Sequence, residues 1–455
     1  MYLIAYFKNI FQVSTLEDTS EQLFLGKKWK LMVMPEKLGI ILIALSPTLY
    51  LGTRHWITNL SILAVIVVVY HLFQVREKLK VMHIPYSKAI ILVFLVYIIA
   101  IIISQFGRYS FTYKPYLDQG RWVIGLPIFI FLYFVRINFA KILDWVAPIS
   151  IFAAFVGSVY LNPSDAWGNR ATVTHIDPIA FGFLNLSVGL MCIASVAIDI
   201  YKNNYSINTV VKFLAFFLGV YLSIRSGSRT GWAALPIVAI LLFYILYRPK
   251  FWRGVLYSVF VSVVVFALYQ LNNIVETRVD ALLFELVQYP WLGGMAQDTS
   301  VGMRITFYRL GYYYFSHSPL FGWGERGFGE IKNAAELLTY STQYSRDFAF
   351  SALFHSEWVT QSVQFGIFGL IGVFMVFMIP LKLFTNFLKL GDDYLKVACM
   401  GLAFMICQFT ASLSYEVFNS KGIISFSAII IAGLLATGLS LMGRTVDPKQ
   451  NLNTR

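Results

Sequence analysis

Residues 88–105 read KAIILVFLVYIIAIIISQ, an apolar run with one charged residue, at its first position. About 20 such residues are needed to cross the hydrocarbon core of a bilayer, where every backbone group must find its partner inside its own helix. Working outward from this run, comparable stretches recur near 35–53, 56–75, 122–136, 144–161, 178–199, 209–224, 230–247, 253–271, 357–381, 395–414 and 422–443. The composition agrees: 58% of the 455 residues are hydrophobic and 13% charged, against about 25% charged in a soluble domain. The sequence therefore predicts an all-α polytopic membrane protein of about 12 transmembrane helices, with a long loop between the ninth and tenth.

The distribution of Lys and Arg predicts its orientation. With the N-terminus inside, the cytoplasmic segments and adjoining span ends carry 22 of the 36 basic residues, the five short opposite loops 8 and the long loop 6. Basic residues are retained on the cytoplasmic side, so the long loop is expected outside. The division that follows is a cytoplasmic or interfacial segment 1–34, helices one to nine over 35–271, a long periplasmic loop 272–356, helices ten to twelve over 357–443, and a cytoplasmic tail 444–455. Tyr2, Leu3, Tyr6, Phe7, Ile10 and Phe11 are spaced as one face of a short interfacial helix. Glu17, Asp18 and Glu21 argue against a cleavable signal peptide. The long loop mixes aromatics with Arg, Gly and Pro, and 303–315 (MRITFYRLGYYYF) has helical spacing, which predicts short helices capping the membrane mouth.

Several function classes are disfavoured. The net charge of +13 is dispersed in short clusters between apolar runs, as for topology signals and lipid headgroups, so nucleic acid is not an expected partner while membrane lipids are. Cys192, Cys399 and Cys407 lie inside apolar runs, without disulfide or metal spacing. No outer loop holds a D-x-D or a His/Cys cluster, which disfavours metal-dependent transfer. A cation-coupled transporter would place ionisable groups within the membrane, and the spans carry few carboxylates, with His71 a lone candidate.

Three constellations remain. In Ile224-Arg225-Ser226-Gly227-Ser228-Arg229-Thr230-Gly231-Trp232, two arginines flank small residues at the start of a helix. Guanidinium forks and N-terminal amides suit phosphate oxygens, although two snorkelling arginines would look the same. Arg304 and Arg309 head the aromatic segment of the long loop. It continues into 317–329 (HSPLFGWGERGFG), whose G-x-G-x-x-G lacks the preceding strand of a dinucleotide site and reads as a turn. His355-Ser356-Glu357-Trp358 stands before the tenth span, where imidazole can take a proton near neutral pH; Glu357, two positions away, would face elsewhere on a helix.

In order and spacing, S-G-S-R-T-G-W, M-R at 303–304, H-S-P-L-F-G-W-G at 317–324, H-S-E-W-V and F-G-I-F-G-L at 365–370 resemble the O-antigen ligase/polymerase superfamily. Trp167-Gly168-Asn169-Arg170-Ala171-Thr172, followed by Asp177-Pro178, resembles that family's loop between spans five and six. The resemblance implies an inner-membrane glycosyltransferase acting on its periplasmic face, without metal or other cofactor. Its donor is a glycan on undecaprenyl pyrophosphate, and its acceptor a sugar hydroxyl of lipid A–core or of another glycan. By motif position it implies pyrophosphate-binding roles for Arg229 and Arg304, with Arg225 and Arg170 beside them, and a catalytic role for His355. Ligase, repeat-unit polymerase and protein O-oligosaccharyltransferase stay open within the family, and a transporter outside it.

Overall fold

The structure, a computed structural model, describes residues 29–52, 56–160, 170–173, 176–247, 277, 280, 300–418 and 420–446. No strand occurs among them, and eight of their helices are long and apolar enough to cross a membrane. The chain is an all-α polytopic membrane protein. The principal helices are α1 (Met34–Gly52), α2 (Trp56–Gln74), α3 (Ser87–Arg108), α4 (Gly125–Val135), α5 (Phe139–Tyr160), α6 (Pro178–Tyr201), α7 (Ile207–Arg225) and α8 (Ala234–Tyr247). They are followed by α9 (Ser300–His317), α10 (Gln343–Ala352), α11 (Glu357–Phe387), α12 (Asp392–Ser412) and α13 (Lys421–Val446). The expected ninth span, the N-terminal interfacial helix and residues 167–169 lie outside the described residues.

Helix starts follow the sequence. Asp177 accepts from the Ile179 and Ala180 amides at 3.0 Å with Pro178 in the first turn. Thr342 caps α10 through the Ser345 amide at 3.0 Å, and Ser356 caps α11 through Val359. The expected fourth span is a 3₁₀ stretch, Gln119–Ile124, running into the 11-residue α4. Regular α8 begins at Ala234 after tight turns over 230–233, so its N-terminal amides lie about a turn later than the sequence suggests. Within α5, Pro148 cannot donate to the Asp144 carbonyl; the Asn208 side-chain amide does so instead, at 2.9 Å. In the apolar window of α13, 94% of residues are buried, against 33% in α7. So α13 is the central post, and α7 turns much of its surface outward.

The described part of the long segment before α11 forms a small domain with its own core. Phe307, Leu310 and Tyr314 of α9 pack with Phe328, Leu337, Ala349 and Phe354 and with Val359 and Val363 of α11. It locks onto α11 through backbone: the Trp323 and Gly324 amides donate to the Val363 and Gln364 carbonyls at 2.8 and 2.9 Å, and Ile367 donates to Pro319 at 2.8 Å. These bonds fill a kink where Gly366 leaves helical geometry, with φ +64°. A Cβ on Gly366 would lie 2.3 Å from the Leu320 carbonyl oxygen, and one on Gly322 2.5 Å from the Gly366 nitrogen. The glycines of 322–324 and 365–370 thus let two backbones cross in contact.

At the far end of α6, Asp144, Asp199, Lys212 and Lys396 form a closed network. Asp144 bonds Lys396 at 2.9 Å, Lys212 at 3.1 Å and Ser195 at 2.5 Å. Asp199 bonds Lys396 at 2.7 Å and also pairs with Lys212. Asp144, Asp199 and Lys212 are buried. In the sequence each stands at the edge of an apolar run, where a charge looks like the ordinary end of a span. His71 is buried between Phe131 and Phe134, with Nε2 3.6 Å from Glu36, a packed histidine. The three cysteines are buried and unpaired with one another.

Candidate active site

The site lies where the cap meets the ends of α6 and α12. Between α10 and α11 the chain passes through two left-handed residues, Leu353 (φ +66°) and His355 (φ +48°). Such conformations cost about 1–3 kcal/mol each and persist where surrounding packing dictates them. Here the imidazole is fixed on three sides: Phe348 at 5.2 Å, Phe307 edge-on at 6.0 Å and Tyr415 nearly parallel at 6.5 Å between ring centres. Its Nδ1 is 3.4 Å from Oε2 of Glu416, whose other oxygen accepts from the Thr360 hydroxyl at 3.2 Å. Glu416 is buried, whereas the His355 side chain keeps 26% of its surface exposed.

Beside the histidine is a cavity of about 380 Å³ lined by Arg170, Asp177, Phe348, His355, Tyr415 and Glu416, among others. The Tyr415 hydroxyl donates to Asp177 at 2.5 Å, tying the end of α12 to the start of α6. Two further carboxylates therefore stand near His355. Both are engaged, Asp177 as a helix cap and Glu416 with His355 and Thr360. Glu357 is buried and turned elsewhere, accepting from the Phe418 amide at 2.8 Å and from Gln361 at 2.7 Å.

The S-G-S-R-T-G turn is built from its own hydroxyls. Ser226 accepts from the Ser228 amide at 3.2 Å and Ser228 from the Thr230 amide at 3.3 Å. The loop before α6 docks on this turn: Ala171 donates to the Arg225 carbonyl at 2.9 Å, and Nε of Arg170 to the Ser226 carbonyl at 2.6 Å. Thr230 receives the Ser414 hydroxyl at 3.4 Å, which joins the turn to the Tyr415–Glu416 segment. Arg229 sits half-buried inside this junction, while the Arg225 side chain is exposed.

Arg304 is half-buried on α9, one turn before Phe307 and Tyr308 on the same face. Phe307 touches His355, and Tyr308 donates to the Leu413 carbonyl at 2.7 Å while receiving the Ser356 hydroxyl at 3.2 Å. Burial raises the Tyr308 phenol above its ordinary pKa. Arg309 lies on the Tyr340 ring, 4.1 Å from its centre, as part of the cap's packing.

Of the five residues singled out from sequence, Arg170 and His355 line the cavity. Arg229 and Arg304 do not line it: Arg229 stands in the turn that Ser414 joins to the Tyr415–Glu416 segment, Arg304 stands on α9 one turn before Phe307, and Arg225 contributes its backbone to the junction. Glu416 was missed. Its only local signal is a carboxylate at the end of an apolar run, on the side expected for His355.

Residues 214–374 match the family model described as O-Antigen ligase. Arg225, Arg229, Arg304 and His355 fall inside the matched segment, and Arg170 outside it. A protein of Haemophilus influenzae described as an uncharacterized protein is 24% identical over 344 residues, covering 74% of this chain and 82% of its own length. The family match supports the O-antigen ligase superfamily, and with it a ligase- or polymerase-like glycosyltransferase activity in a membrane setting.

Proposed function

We propose, with the O-antigen ligase superfamily supported over residues 214–374, that this chain is an O-antigen ligase. It moves a polysaccharide from undecaprenyl pyrophosphate to a sugar hydroxyl of lipid A–core, at the periplasmic face of the bacterial inner membrane. The observation that carries this reading is the His355–Glu416 pair beside a cavity that Arg170 also lines.

With the Nδ1 proton directed at Glu416, the imidazole lone pair is on Nε2, the tautomer a general base needs. His355 takes the proton of the acceptor hydroxyl as the acceptor oxygen bonds to the anomeric carbon. The bond from that carbon to the pyrophosphate oxygen breaks, and the configuration inverts. Glu416 stabilises the imidazolium that forms. Positioned base catalysis of this kind contributes about 10²–10⁴ in rate. Arg229 and Arg304, with Arg170 and Arg225, neutralise the leaving pyrophosphate, as guanidinium groups can do without a metal. The energy is already stored in the glycosyl–pyrophosphate bond.

A lipopolysaccharide gel from a deletion strain tests the reading. Loss of all attached polymer, with lipid-linked polymer accumulating, is expected. Core bearing one repeat unit would make the protein a polymerase of the same superfamily, and a glycoprotein defect a protein O-oligosaccharyltransferase. An unchanged profile would return transport to consideration. Purified protein should also transfer in excess EDTA; activity restored only by Mg²⁺ or Mn²⁺ would defeat the arginine mechanism.

A further inference from the structure

A second cavity, of about 210 Å³, opens on the other side of the segment that carries His355. Its wall includes Lys114, Asp118, Glu325, Arg326 and Gln364, and it shares Ala352 with the first cavity. The two also meet at the start of α13: Ser420 lines the first, and Lys421 stands 4.0 Å from Asp118 in the second.

Each cavity has two carboxylates in its wall, and the second alone also has side-chain amides, those of Gln119 and Gln364. In the second, Lys114 pairs with Glu325, and Asp118 faces Lys421. Arg326 lies over the Phe350 ring at 5.6 Å and donates to the Ser351 carbonyl at 3.3 Å. Its cations already have partners. Carboxylates and planar amides with spare capacity suit hydroxyl groups, which donate to the former and do both with the latter. Gln364 supplies that capacity. It is 97% buried and lines the cavity, yet among the described residues its side-chain amide makes no hydrogen bond. Its amide is therefore free to meet a hydroxyl group that enters the cavity.

We propose that this cavity is the acceptor subsite, which holds one neutral, hydroxyl-bearing sugar ring through Gln364 and Asp118 and presents its neighbour to His355 around Ala352. The volume is below the roughly 300–1,000 Å³ of sites that enclose a whole drug-sized ligand, in keeping with a single ring. This assignment rests on the glycosyl-transfer reading, and it separates the recognition of the acceptor from that of the pyrophosphate.

The test uses the full-length protein in detergent, with the delipidated core oligosaccharide of the producing strain as probe. Saturation-transfer NMR on the wild type should show contact to the sugar ring protons. Gln364→Leu and Asp118→Asn, on two different elements, should each weaken binding at least tenfold, and Gln364→Asn, which keeps an amide, less so. In transfer assays the same variants should raise the acceptor KM with little change in donor KM. No oligosaccharide binding by the wild type, undiminished binding by both variants, or a rise in donor KM instead would overturn the assignment. Binding that depends on Gln364 in a protein that transfers nothing would uphold the subsite and defeat the ligase reading. Transfer with an unchanged acceptor KM in both variants would do the reverse.

Discussion

Two groups of buried charge sit at opposite ends of α6, and they are built on opposite plans. Asp177 and Asp199 are 22 residues apart, about 33 Å along the helix. Around Asp199 two lysines meet two aspartates, every carboxylate oxygen has a partner, and Lys212 is 99% buried. Around Asp177 the charges are shared out among helix cap, tyrosine and histidine beside an open cavity, and the His355 ring is partly exposed. The first arrangement has nothing left to offer a ligand; it fixes how α5, α6, α7 and α12 meet. The second keeps donor and acceptor capacity facing a space. Buried charge alone therefore does not mark a working site, and the distinction lies in what remains unspent.

The sharpest way to break this comparison is to remove one member from each end. His355→Gln retains polarity and shape but has no usable base, so transfer should fall about 10²–10⁴-fold, while membrane abundance and melting temperature stay near wild type. Turnover at the wild-type rate would make the histidine structural and the two ends alike. Lys212→Met should do the opposite. It leaves two buried aspartates facing one lysine, a change that costs about 3–5 kcal/mol. A marked drop in thermal stability in detergent is expected, with whatever protein survives still able to transfer. Pairing it with Asp199→Asn, which restores neutrality, should recover part of the loss. If Lys212→Met melts like wild type, the closed network does not hold α5, α6, α7 and α12 together.

How much of this was legible beforehand depends on sequence separation. Most of the described helices were, because a run such as 88–105 states its environment residue by residue, and α9 showed its periodicity in 303–315. Arg170 and His355 were picked out by motif and do line one cavity. Glu416 was not, since it meets His355 across 61 positions and no local pattern signals such a pairing. The closed network was hidden for the same reason: Asp144, Asp199, Lys212 and Lys396 each resemble an ordinary charge at the end of a span. The glycines of 322–324 read as a turn, which they are. That the turn seats against Gly366 depends on the fold of the cap, which brings Pro319 to Ile367.

The smallest effect is expected where the two ends most resemble each other, at the tyrosine that satisfies Asp177. The Tyr415 hydroxyl donates to Asp177 at 2.5 Å, but that carboxylate also accepts two backbone amides at the start of α6. Tyr415→Phe therefore removes one charged hydrogen bond from a group that stays capped, at about 1.5 kcal/mol, the low end for such bonds. The phenyl ring preserves the nearly parallel contact with His355, so the base should keep its place. Transfer should consequently fall severalfold, far less than in His355→Gln, with a melting temperature lower by a few degrees. The measurement is kcat in membranes of matched protein level beside a thermal melt. A loss as deep as that of His355→Gln, without a change in stability, would show that the Tyr415 hydroxyl itself reaches substrate. The open end would then contain a second polar group acting on the reaction, a sharper difference from the closed end than the geometry alone provides.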